Sequence, residues 1–390
     1  MFRKVLLFPY WLVLKTRQRL YDSGRWKVWT GEVPTICVGN LAAGGTGKTP
    51  HTQMILQTLL GSEDWKDKKI AVLSRGHKRN SVGFQQVTVD GSAKFYGDEP
   101  LQMKKRFPSV TVAVDRPRVE GCDFLCHPEK LLTSKKGRKC KEKDFPSSDI
   151  IVLDDAFQYR SLKAHVNIVL VEWKRPLDKD MLLPFGRLRD LPERISEADI
   201  VIATKCPSSL EEWEKSEWVK SLGVKDFDHA TSCGEFSSGK KVSIFFTSIN
   251  YETPEPIYKE GDTRYIYSKK LILFSGIAKD TPLRMYLSDK YKIVSRFKFS
   301  DHHKYNRFDL AHIMAAVKLQ PTALVATTEK DSQRILDYKK VPLDLRQRLF
   351  QIPISVAFLS PEEKERFRSV LTSSLRTFRP DPSRVWHVTD

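Results

Sequence analysis

A glycine-rich turn near the start of the chain has the residue types and spacing that bind phosphate. Residues 42–49 read AAGGTGKT, and Pro50 follows them. Glycines here let backbone N–H groups turn inward around phosphate oxygens. Lys48 supplies a positive charge for terminal phosphates, and the Thr49 hydroxyl is placed to bind Mg²⁺. The predicted nucleoside triphosphate site comprises Ala42, Ala43, Gly44, Gly45, Thr46, Gly47, Lys48 and Thr49.

A pair of carboxylates further along the chain has the pattern of a second part of this site. Residues 150–153 read IIVL, which predicts a buried strand, and Asp154 and Asp155 follow it. A carboxylate in this position can hold Mg²⁺ or its waters opposite the P-loop threonine, in the Walker-B arrangement. The residues therefore predict ATP and Mg²⁺ as ligands.

Strands and helices are predicted to alternate around these residues. A strand at 35–38 precedes the turn, a helix begins at residue 48, and further strands are predicted up to about residue 204. This pattern indicates an α/β protein, with a P-loop NTPase parallel sheet covered by helices and a second smaller α/β domain joined by an extended ribbon. The ribbon is predicted at residues 242–247 and 263–267. The expected divisions are an N-terminal helix at 1–25, a P-loop domain at 26–235, the ribbon at 236–267 and the smaller domain at 268–390.

The composition is that of an ordinary globular protein with an excess of positive charge. Of the 390 residues, 40% are hydrophobic and 29% charged, and the net charge is +18. Such a charge favours an acidic partner, which could be nucleic acid, an anionic membrane or a phosphorylated ligand. The most basic run, residues 127–143, has no aromatic side chain for stacking on bases, so nucleic acid is not predicted.

Cysteine and histidine residues near this basic run were candidates for a zinc site. They are Cys122, Cys126, His127 and Cys140. The paired C-x2-C spacing of zinc sites is absent, and lysines surround Cys140. The sequence therefore predicts reduced thiols and a solvated loop here, without zinc.

An apolar segment opens the chain. Residues 5–14 read VLLFPYWLVL and lie between basic residues. Ten residues cannot cross a bilayer core, which needs about 20, and no small-residue cleavage site follows. The segment suits a helix in the membrane interface, and the alternative is a helix buried against the body of the protein.

Two further motifs lie at the ends of predicted elements. Arg75 follows a strand at residues 70–74, where doubly wound sheets bind ligands, and a lone arginine there suits an anion contact or a solvated position. Residues 97–100 read GDEP. Acidic residues before proline are typical of a helix N-terminus, so this motif alone predicts no chemistry.

Taken together, the motifs resemble those of a known enzyme family. In chain order they read GN-x3-GGTGKTP, SRG, GDEP, LDDAFQ, LLPFGRLRD, FSGI, FSDHH and TTEKD. Their order and spacing are similar to those of the tetraacyldisaccharide 4′-kinases, the lipid A 4′-kinases. The resemblance implies transfer of the γ-phosphoryl group of ATP to the 4′-hydroxyl of a tetraacylated glucosamine disaccharide 1-phosphate. It also implies a peripheral protein on the cytoplasmic face of the bacterial inner membrane, and we expect a monomer that binds this lipid-linked substrate and the anionic surface.

The same resemblance implies roles for individual residues. Asp98 and His302 would form the pair that activates the hydroxyl, while Glu99, Asp155 and Thr49 would serve the magnesium ion. Substrate and phosphate contacts would come from Arg75, His77, Arg118 and Arg189. At residue 77 the family usually has tyrosine. A histidine base held by a carboxylate suits a weak hydroxyl nucleophile.

One alternative uses a similar loop. P-loop ATPases of the partitioning or metallochaperone type usually carry a second lysine ahead of the loop, where this chain has Ala42 and Ala43. They also have no need of an apolar N-terminal segment. A purely structural membrane protein would leave GGTGKT and the LDD strand unexplained.

Overall fold

Helices and strands alternate along the chain, and the computed structural model describes residues 2–387. The helices are α1 (Phe2–Asp22), α2 (Lys48–Leu60), α3 (Ala93–Tyr96), α4 (Asp98–Arg106), α5 (Arg118–Cys126), α6 (Lys130–Thr133), α7 (Glu212–Ser221), α8 (Thr281–Ser288), α9 (Arg307–Leu319), α10 (Glu329–Leu336), α11 (Leu343–Arg348) and α12 (Pro361–Arg376). The strands are β1 (Trp29–Thr30), β2 (Thr35–Asn40), β3 (Ile70–Ser74), β4 (Gln85–Gln86), β5 (Thr111–Val114), β6 (Ile150–Asp154), β7 (Leu162–Lys163), β8 (Val166–Glu172), β9 (Ile200–Thr204), β10 (Val224–Asp228), β11 (Cys233–Phe236), β12 (Lys241–Tyr251), β13 (Glu255–Pro256), β14 (Lys270–Ser275), β15 (Lys292–Lys298), β16 (Leu324–Thr328), β17 (Leu349–Ile352) and β18 (Ile354–Phe358).

The larger sheet has 11 strands among the described residues. Its central strands run parallel in the order β12-β9-β8-β2-β6-β3-β5. Antiparallel strands extend it: β4, β10, β11 and β18. Strands β2 and β6 are buried at every position, because apolar clusters cover both faces of the sheet. The predicted parallel sheet covered by helices is confirmed.

A second sheet of five strands lies in the C-terminal part of the chain. Its order is β13-β17-β16-β14-β15, and all pairs except β13 with β17 are parallel. Two apolar clusters cover its faces, and helix α9 contributes to one of them. This is the smaller α/β unit that the sequence predicted.

The two sheets are joined by a pair of antiparallel strands. Residues 243–246 of β12 pair with β9 in the larger sheet, and residues 247–251 pair with β18. The second part of the predicted ribbon is wrong, because Thr263–Tyr267 forms a 3₁₀-helix. The Asp262 carboxylate accepts a hydrogen bond from the backbone of Arg264 at 3.0 Å, and such a local cap competes with extended structure.

The last helix, α12, returns to the larger sheet. Phe367, Leu371 and Leu375 lie in the same apolar cluster as Ile55 and Leu59 of α2. The chain therefore crosses between the two units twice, outward in β12 and back through β18. We propose that α12 belongs with the larger unit, so that the smaller domain expected at residues 268–390 ends before this helix.

Helix α1 packs part of its surface on the larger unit. Leu7 and Leu14 are buried, and Tyr10 Oη donates a hydrogen bond to the Arg189 carbonyl at 3.1 Å. Five large apolar side chains of this helix are exposed: Leu6, Phe8, Trp11, Leu12 and Val13. Within residues 2–387, no helix combines the length and apolar character needed to cross a membrane. Helix α1 therefore has features of both alternatives. One part of its surface is buried against the protein, and other apolar side chains are exposed, as in a helix at a membrane interface.

Candidate active site

The glycine-rich turn forms a phosphate-binding loop between β2 and α2. Gly44 and Gly47 have positive φ angles of 105° and 93°, which glycine adopts without strain. Asn40 Nδ2 donates to Thr46 Oγ1 at 2.7 Å and ties the loop to the end of β2. Because α2 begins at Lys48, the free N–H groups of its first turn and its positive end face the loop.

Alanine is accommodated at the start of this loop. Ala42 forms an antiparallel bridge with Leu188, and the Ala43 N–H donates to the Arg187 carbonyl at 2.6 Å. A residue paired in this way needs no left-handed backbone, so glycine is not required at residue 42. The bridge also places the segment around residue 188 over the loop.

Two further cations lie beside the loop. Lys205, directly after β9, donates from Nζ to the Gly45 carbonyl and lies 3.4 Å from the Glu172 carboxylate. The guanidinium of Arg187 approaches Gly44 so closely that a Cβ there would lie 3.4 Å from Nη1. No local motif marks Lys205, because β9 joins β2 only through β8.

Asp155 lies beside the P-loop lysine at the end of β6. Its carboxylate is 3.7 Å from Lys48 Nζ and also pairs with the Arg189 guanidinium. Arg189 Nη2 donates in addition to Asn40 Oδ1 at 2.5 Å. Burial would raise the pKa of Asp155, but Lys48 and Arg189 outweigh it and lower the pKa below its usual value. Asp155 is therefore ionised beside Lys48.

Three carboxylates contribute negative charge at this edge of the sheet. Burial, together with the charges of Glu99 and Asp155, raises the pKa of Asp154 to about 6. Burial is the larger cause of this shift, and the part that comes from repulsion by the two carboxylates would be relieved by a bound cation. Carboxylate and hydroxyl oxygens are the ligands that Mg²⁺ prefers. Thr49, Glu99 and Asp155 therefore fit the predicted magnesium site by charge and by donor type.

Asp98 and His302 are in contact although they lie in different units. Asp98 Oδ2 is 3.3 Å from His302 Nδ1. His302 has a left-handed φ of 60°, and its backbone N–H donates to the Gly276 carbonyl at 3.2 Å, which holds it beside the end of β14. Asp98 lies in the first turn of α4, where the helix favours a negative charge. The structure thus brings together the two side chains that the proposed base requires.

Arg334 of α10 holds Asp98 in place. Its Nε and Nη2 both donate to Asp98 Oδ2, the former at 3.1 Å, and Nη2 lies 3.2 Å from His302 Nδ1. Its Nη1 donates to Asp331 Oδ1 at 2.9 Å and to the Gly276 carbonyl at 3.1 Å. Burial would raise the pKa of Asp98, but the hydrogen bond from His302 and the charge of Arg334 hold it well below its usual range.

The same helix pairs with the neighbouring acid. Lys330, one turn before Arg334, forms an ion pair with Glu99, and α10 packs against α4. Residues four positions apart on a helix share a face. Arg334 is not part of any sequence motif named above. Its position four residues after Lys330 of the TTEKD motif is the feature of the sequence from which its role could have been predicted.

His77 lies next to the base. Its ring centroid is 5.4 Å from that of His302, and partial burial and the neighbouring His302 lower its pKa. Arg75 lies two residues earlier, exposed directly after β3. The structure therefore brings His77 to the proposed base and leaves Arg75 accessible nearby in the chain.

Arg118, for which the resemblance implies a substrate contact, is buried in the structure. Its residue surface is only 2% exposed. Nη1 donates to the Asp115 carbonyl at 2.5 Å and Nη2 to the Asp154 carbonyl at 3.2 Å. Because the Arg118 guanidinium donates hydrogen bonds to two backbone carbonyls, it positions the end of β6. It has little exposed surface with which to contact substrate.

Comparisons with known proteins agree with this geometry. A family model described as tetraacyldisaccharide-1-P 4′-kinase matches residues 3–376. The chain belongs to the tetraacyldisaccharide 4′-kinase family. It is similar to the tetraacyldisaccharide 4′-kinases of Phocaeicola vulgatus, with 34% identity over 366 residues (92% of this chain, 91% of the relative), and of Parabacteroides distasonis, with 33% identity over 381 residues (95% and 93%).

A solved structure supports the same assignment. The fold is similar to the crystal structure of an "apo" form of LpxK from Aquifex aeolicus in complex with ATP, with a TM-score of 0.66 and 26% identity. The similarity covers 96% of this chain and 100% of the other. The predicted tetraacyldisaccharide 4′-kinase activity is confirmed by these matches, which do not support the partitioning or metallochaperone ATPase.

Proposed function

We propose that this kinase uses Asp98 and His302 to activate the 4′-hydroxyl of tetraacyldisaccharide 1-phosphate. The observation that carries the proposal is the 3.3 Å contact between Asp98 Oδ2 and His302 Nδ1. With the Nδ1 proton donated to Asp98, His302 Nε2 carries the lone pair that accepts a proton. The hydroxyl proton passes to Nε2, the hydroxyl oxygen bonds to the γ-phosphorus of ATP, and ADP leaves. Asp98 stabilises the imidazolium that results.

The loop between β2 and α2 is the proposed binding site for the ATP phosphates. Phosphoryl transfer depends mainly on positioning and on neutralising charge. Backbone N–H groups, the positive end of α2 and Lys48 supply both. Lys205 and Arg187 add positive charge at the same loop.

Thr49, Glu99 and Asp155 would hold Mg²⁺ at this position. The ion neutralises charge on the transferring phosphates when it is bound. Burial would raise the pKa of Glu99, but Lys330 outweighs it and lowers the pKa, so Glu99 is ionised and suited to a cation. Arg189, through its pair with Asp155, keeps that carboxylate at the loop.

The sugar and its 1-phosphate are proposed to bind near residues 75–77. His77 lies beside His302, and its ring can contact the disaccharide that His302 activates. Arg75 is exposed directly after β3 and offers a charge for phosphate. Arg118 supports the site through the backbone of β6.

A position on the membrane surface follows from the lipid substrate and from α1. Phe8 and Trp11 on this helix are 55% and 38% exposed, and the chain carries a net charge of +18. Exposed aromatic side chains and positive charge favour an anionic lipid interface. We therefore propose a monomer bound peripherally to the cytoplasmic face of the bacterial inner membrane, without nucleic acid.

An assay with labelled ATP tests the proposed residue roles. Wild type, His302→Ala and Asp98→Ala would be compared on tetraacyldisaccharide 1-phosphate in detergent micelles, with His312→Ala on the exposed surface of α9 as control. We expect label transfer by wild type and control, and its collapse in the other two variants while ATP binding is retained. Undiminished transfer by His302→Ala would rule out His302 as the base.

A further inference from the structure

Three side chains far apart in the sequence meet at the edge of the larger sheet opposite the P-loop. Glu32 precedes β2, whereas the P-loop follows it. His127 comes directly after α5, and His387 lies in the C-terminal tail, which we define as residues 377–387. Each offers one potential ligand atom, and these atoms lie within 4.8 Å of one another. The sequence prediction against zinc concerned cysteine spacing, and of those candidates only His127 belongs to this group.

His127 has a carboxylate at each ring nitrogen. Its Nε2 is 2.7 Å from Glu32 Oε2, and its Nδ1 is 3.3 Å from Glu129 Oε1. A neutral imidazole has one N–H and can donate to only one of these carboxylates. A metal ion shared by Nε2 and Glu32 would leave the Nδ1 proton for Glu129. An imidazolium is the alternative, and it would bind no metal.

His387 has the same arrangement on one side of its ring. Its Nδ1 is 3.0 Å from Asp123 Oδ1, which also accepts from Lys130 Nζ at 2.7 Å. Lys130 Nζ also lies 3.3 Å from His387 Nδ1, and an ammonium only donates. The tautomer that could bind a metal has its proton on Nδ1, donated to Asp123, and leaves the lone pair on Nε2, while Lys130 donates to Asp123. Metal-binding histidines almost always donate their second ring N–H to a carboxylate or carbonyl. Both histidines of the group therefore have the supporting carboxylate of a metal ligand.

We propose that Glu32, His127 and His387 bind one divalent transition-metal ion, for which Zn²⁺ is the best match. Two imidazoles and a carboxylate are a zinc-type ligand set, and water can take the fourth position. Bonds of about 2.0–2.1 Å place tetrahedral ligands about 3.4 Å apart. Side chains of these three residues are 28–54% exposed, so they can make this adjustment.

The ion would fasten the C-terminal tail to the larger unit. Val385 already forms a parallel bridge with Thr30, and Lys136 Nζ lies 5.3 Å from the ring centre of Trp386. These contacts bring His387 to the other two ligands. Because the ligands come from three distant segments, binding would couple directly to the ordering of the tail.

Metal titration of the full chain tests the site independently of phosphorylation. Chelator-treated protein would be titrated with Zn²⁺ by calorimetry and with Co²⁺ by visible absorption. We expect one equivalent bound with a tetrahedral Co²⁺ spectrum, lost in His127→Ala and His387→Ala and retained in the His312→Ala control. Glu129→Gln should weaken binding about 10–100-fold, because it removes a supporting carboxylate.

Three outcomes would overturn the site. They are a wild type that binds no stoichiometric metal, unchanged binding in His387→Ala, and binding lost in Cys126→Ser but retained in His387→Ala. Hydrogen exchange supplies a second readout, since Zn²⁺ should slow exchange of residues 377–387 in wild type and not in His387→Ala. Phosphorylation with Mg²⁺ should persist in His387→Ala, so failure of the metal site and failure of the proposed kinase mechanism are distinguishable.

Discussion

Asp155 and Asp98 both pair with an arginine, but they depend on different parts of the fold. Both partners of Asp155, Lys48 and Arg189, lie in the larger unit, and its side chain is 34% exposed. Asp98 receives His302 and Arg334 from the smaller unit, and its side chain is 7% exposed. We therefore expect nucleotide binding to be completed within one unit, whereas the proposed base requires the smaller unit to contact α4.

Lys48→Ala should have the largest effect. It removes the point charge that the loop offers to the terminal phosphates, so we expect kcat/KM to fall on the order of 10³-fold or more, with weaker ATP binding. Steady-state phosphorylation and calorimetric ATP titration would measure both. Lys318→Ala, exposed on α9, is the matched control. A decrease in kcat/KM of less than tenfold would contradict the proposed phosphate-binding site.

Asp98→Asn should separate the two halves of the site. We expect kcat to fall about 10²-fold, because asparagine does not stabilise an imidazolium, while the dissociation constant of ATP stays unchanged. The same two measurements apply. If ATP binding weakened together with the fall in kcat, nucleotide binding would depend on Asp98. The contrast between Asp155 and Asp98 would then not separate nucleotide binding from activation of the hydroxyl.

The arginines should differ in what they contribute to stability. Arg334→Gln leaves buried Asp98 without its main partner, so we expect the free energy of unfolding to fall by about 3 kcal/mol. Arg189→Gln should cost about 1 kcal/mol, because Arg189 is 26% exposed and Asp155 keeps Lys48. Urea unfolding would measure both, with Arg334→Lys as the charge-preserving control. Equal decreases in the free energy of unfolding would show that the Arg334–Asp98 contact between the units stabilises the protein no more than the Arg189–Asp155 contact within one unit.

The pH dependence of stability should have opposite signs at two acids. The pKa of Asp154 is raised to about 6, so the folded protein binds this proton more tightly and its stability increases as the pH falls from 7 toward 4. The increase should be on the order of 1–2 kcal/mol. Asp98, with its lowered pKa, contributes stability above the pKa of the unfolded chain and loses it only at lower pH.

Urea unfolding of nucleotide-free protein at pH 7 and pH 5 would be measured for wild type and for Asp154→Asn. Asp98 stays ionised in the folded protein at both values. The pKa of Asp115 is raised to about 7 and that of His51 is lowered to about 4, so these two groups change the stability of both proteins over the same interval. The contribution of Asp154 is therefore the difference between the two pH dependences, and identical pH dependences would contradict it.

The parts of the candidate site whose position the sequence indicates directly are those set by one short segment. The loop at residues 42–49 and the carboxylate of Asp155 follow single strands, so local pattern suffices to place them. The meeting of Asp98 and His302 rested on the family resemblance, since no spacing relates residues on different sheets. Lys205 reaches the site only through strand order, which leaves no local signal, whereas the spacing of Arg334 four residues after Lys330 is a signal in the sequence.

Hydrogen bonds between a side chain and the backbone are equally hard to predict from sequence. Arg118 follows a strand end as Arg75 does, but sequence does not show that its side chain runs inward to the carbonyls of Asp115 and Asp154. Residues 263–267, which the sequence predicts as part of the extended ribbon, form a 3₁₀-helix that the Asp262 carboxylate caps. In both cases the structure depends on a hydrogen bond between a side chain and the backbone. At residues 263–267 it favours the 3₁₀-helix, and at Arg118 it directs the side chain inward.

The return of α12 to the larger sheet has a consequence for biosynthesis. Phe367, Leu371 and Leu375 complete an apolar cluster whose first members lie in β2 and α2. A chain emerging from the ribosome can fold the smaller unit while the larger core still lacks its last helix. The larger unit therefore reaches its final packing only after α12 has been synthesised, which follows the part of the chain inserted within that unit.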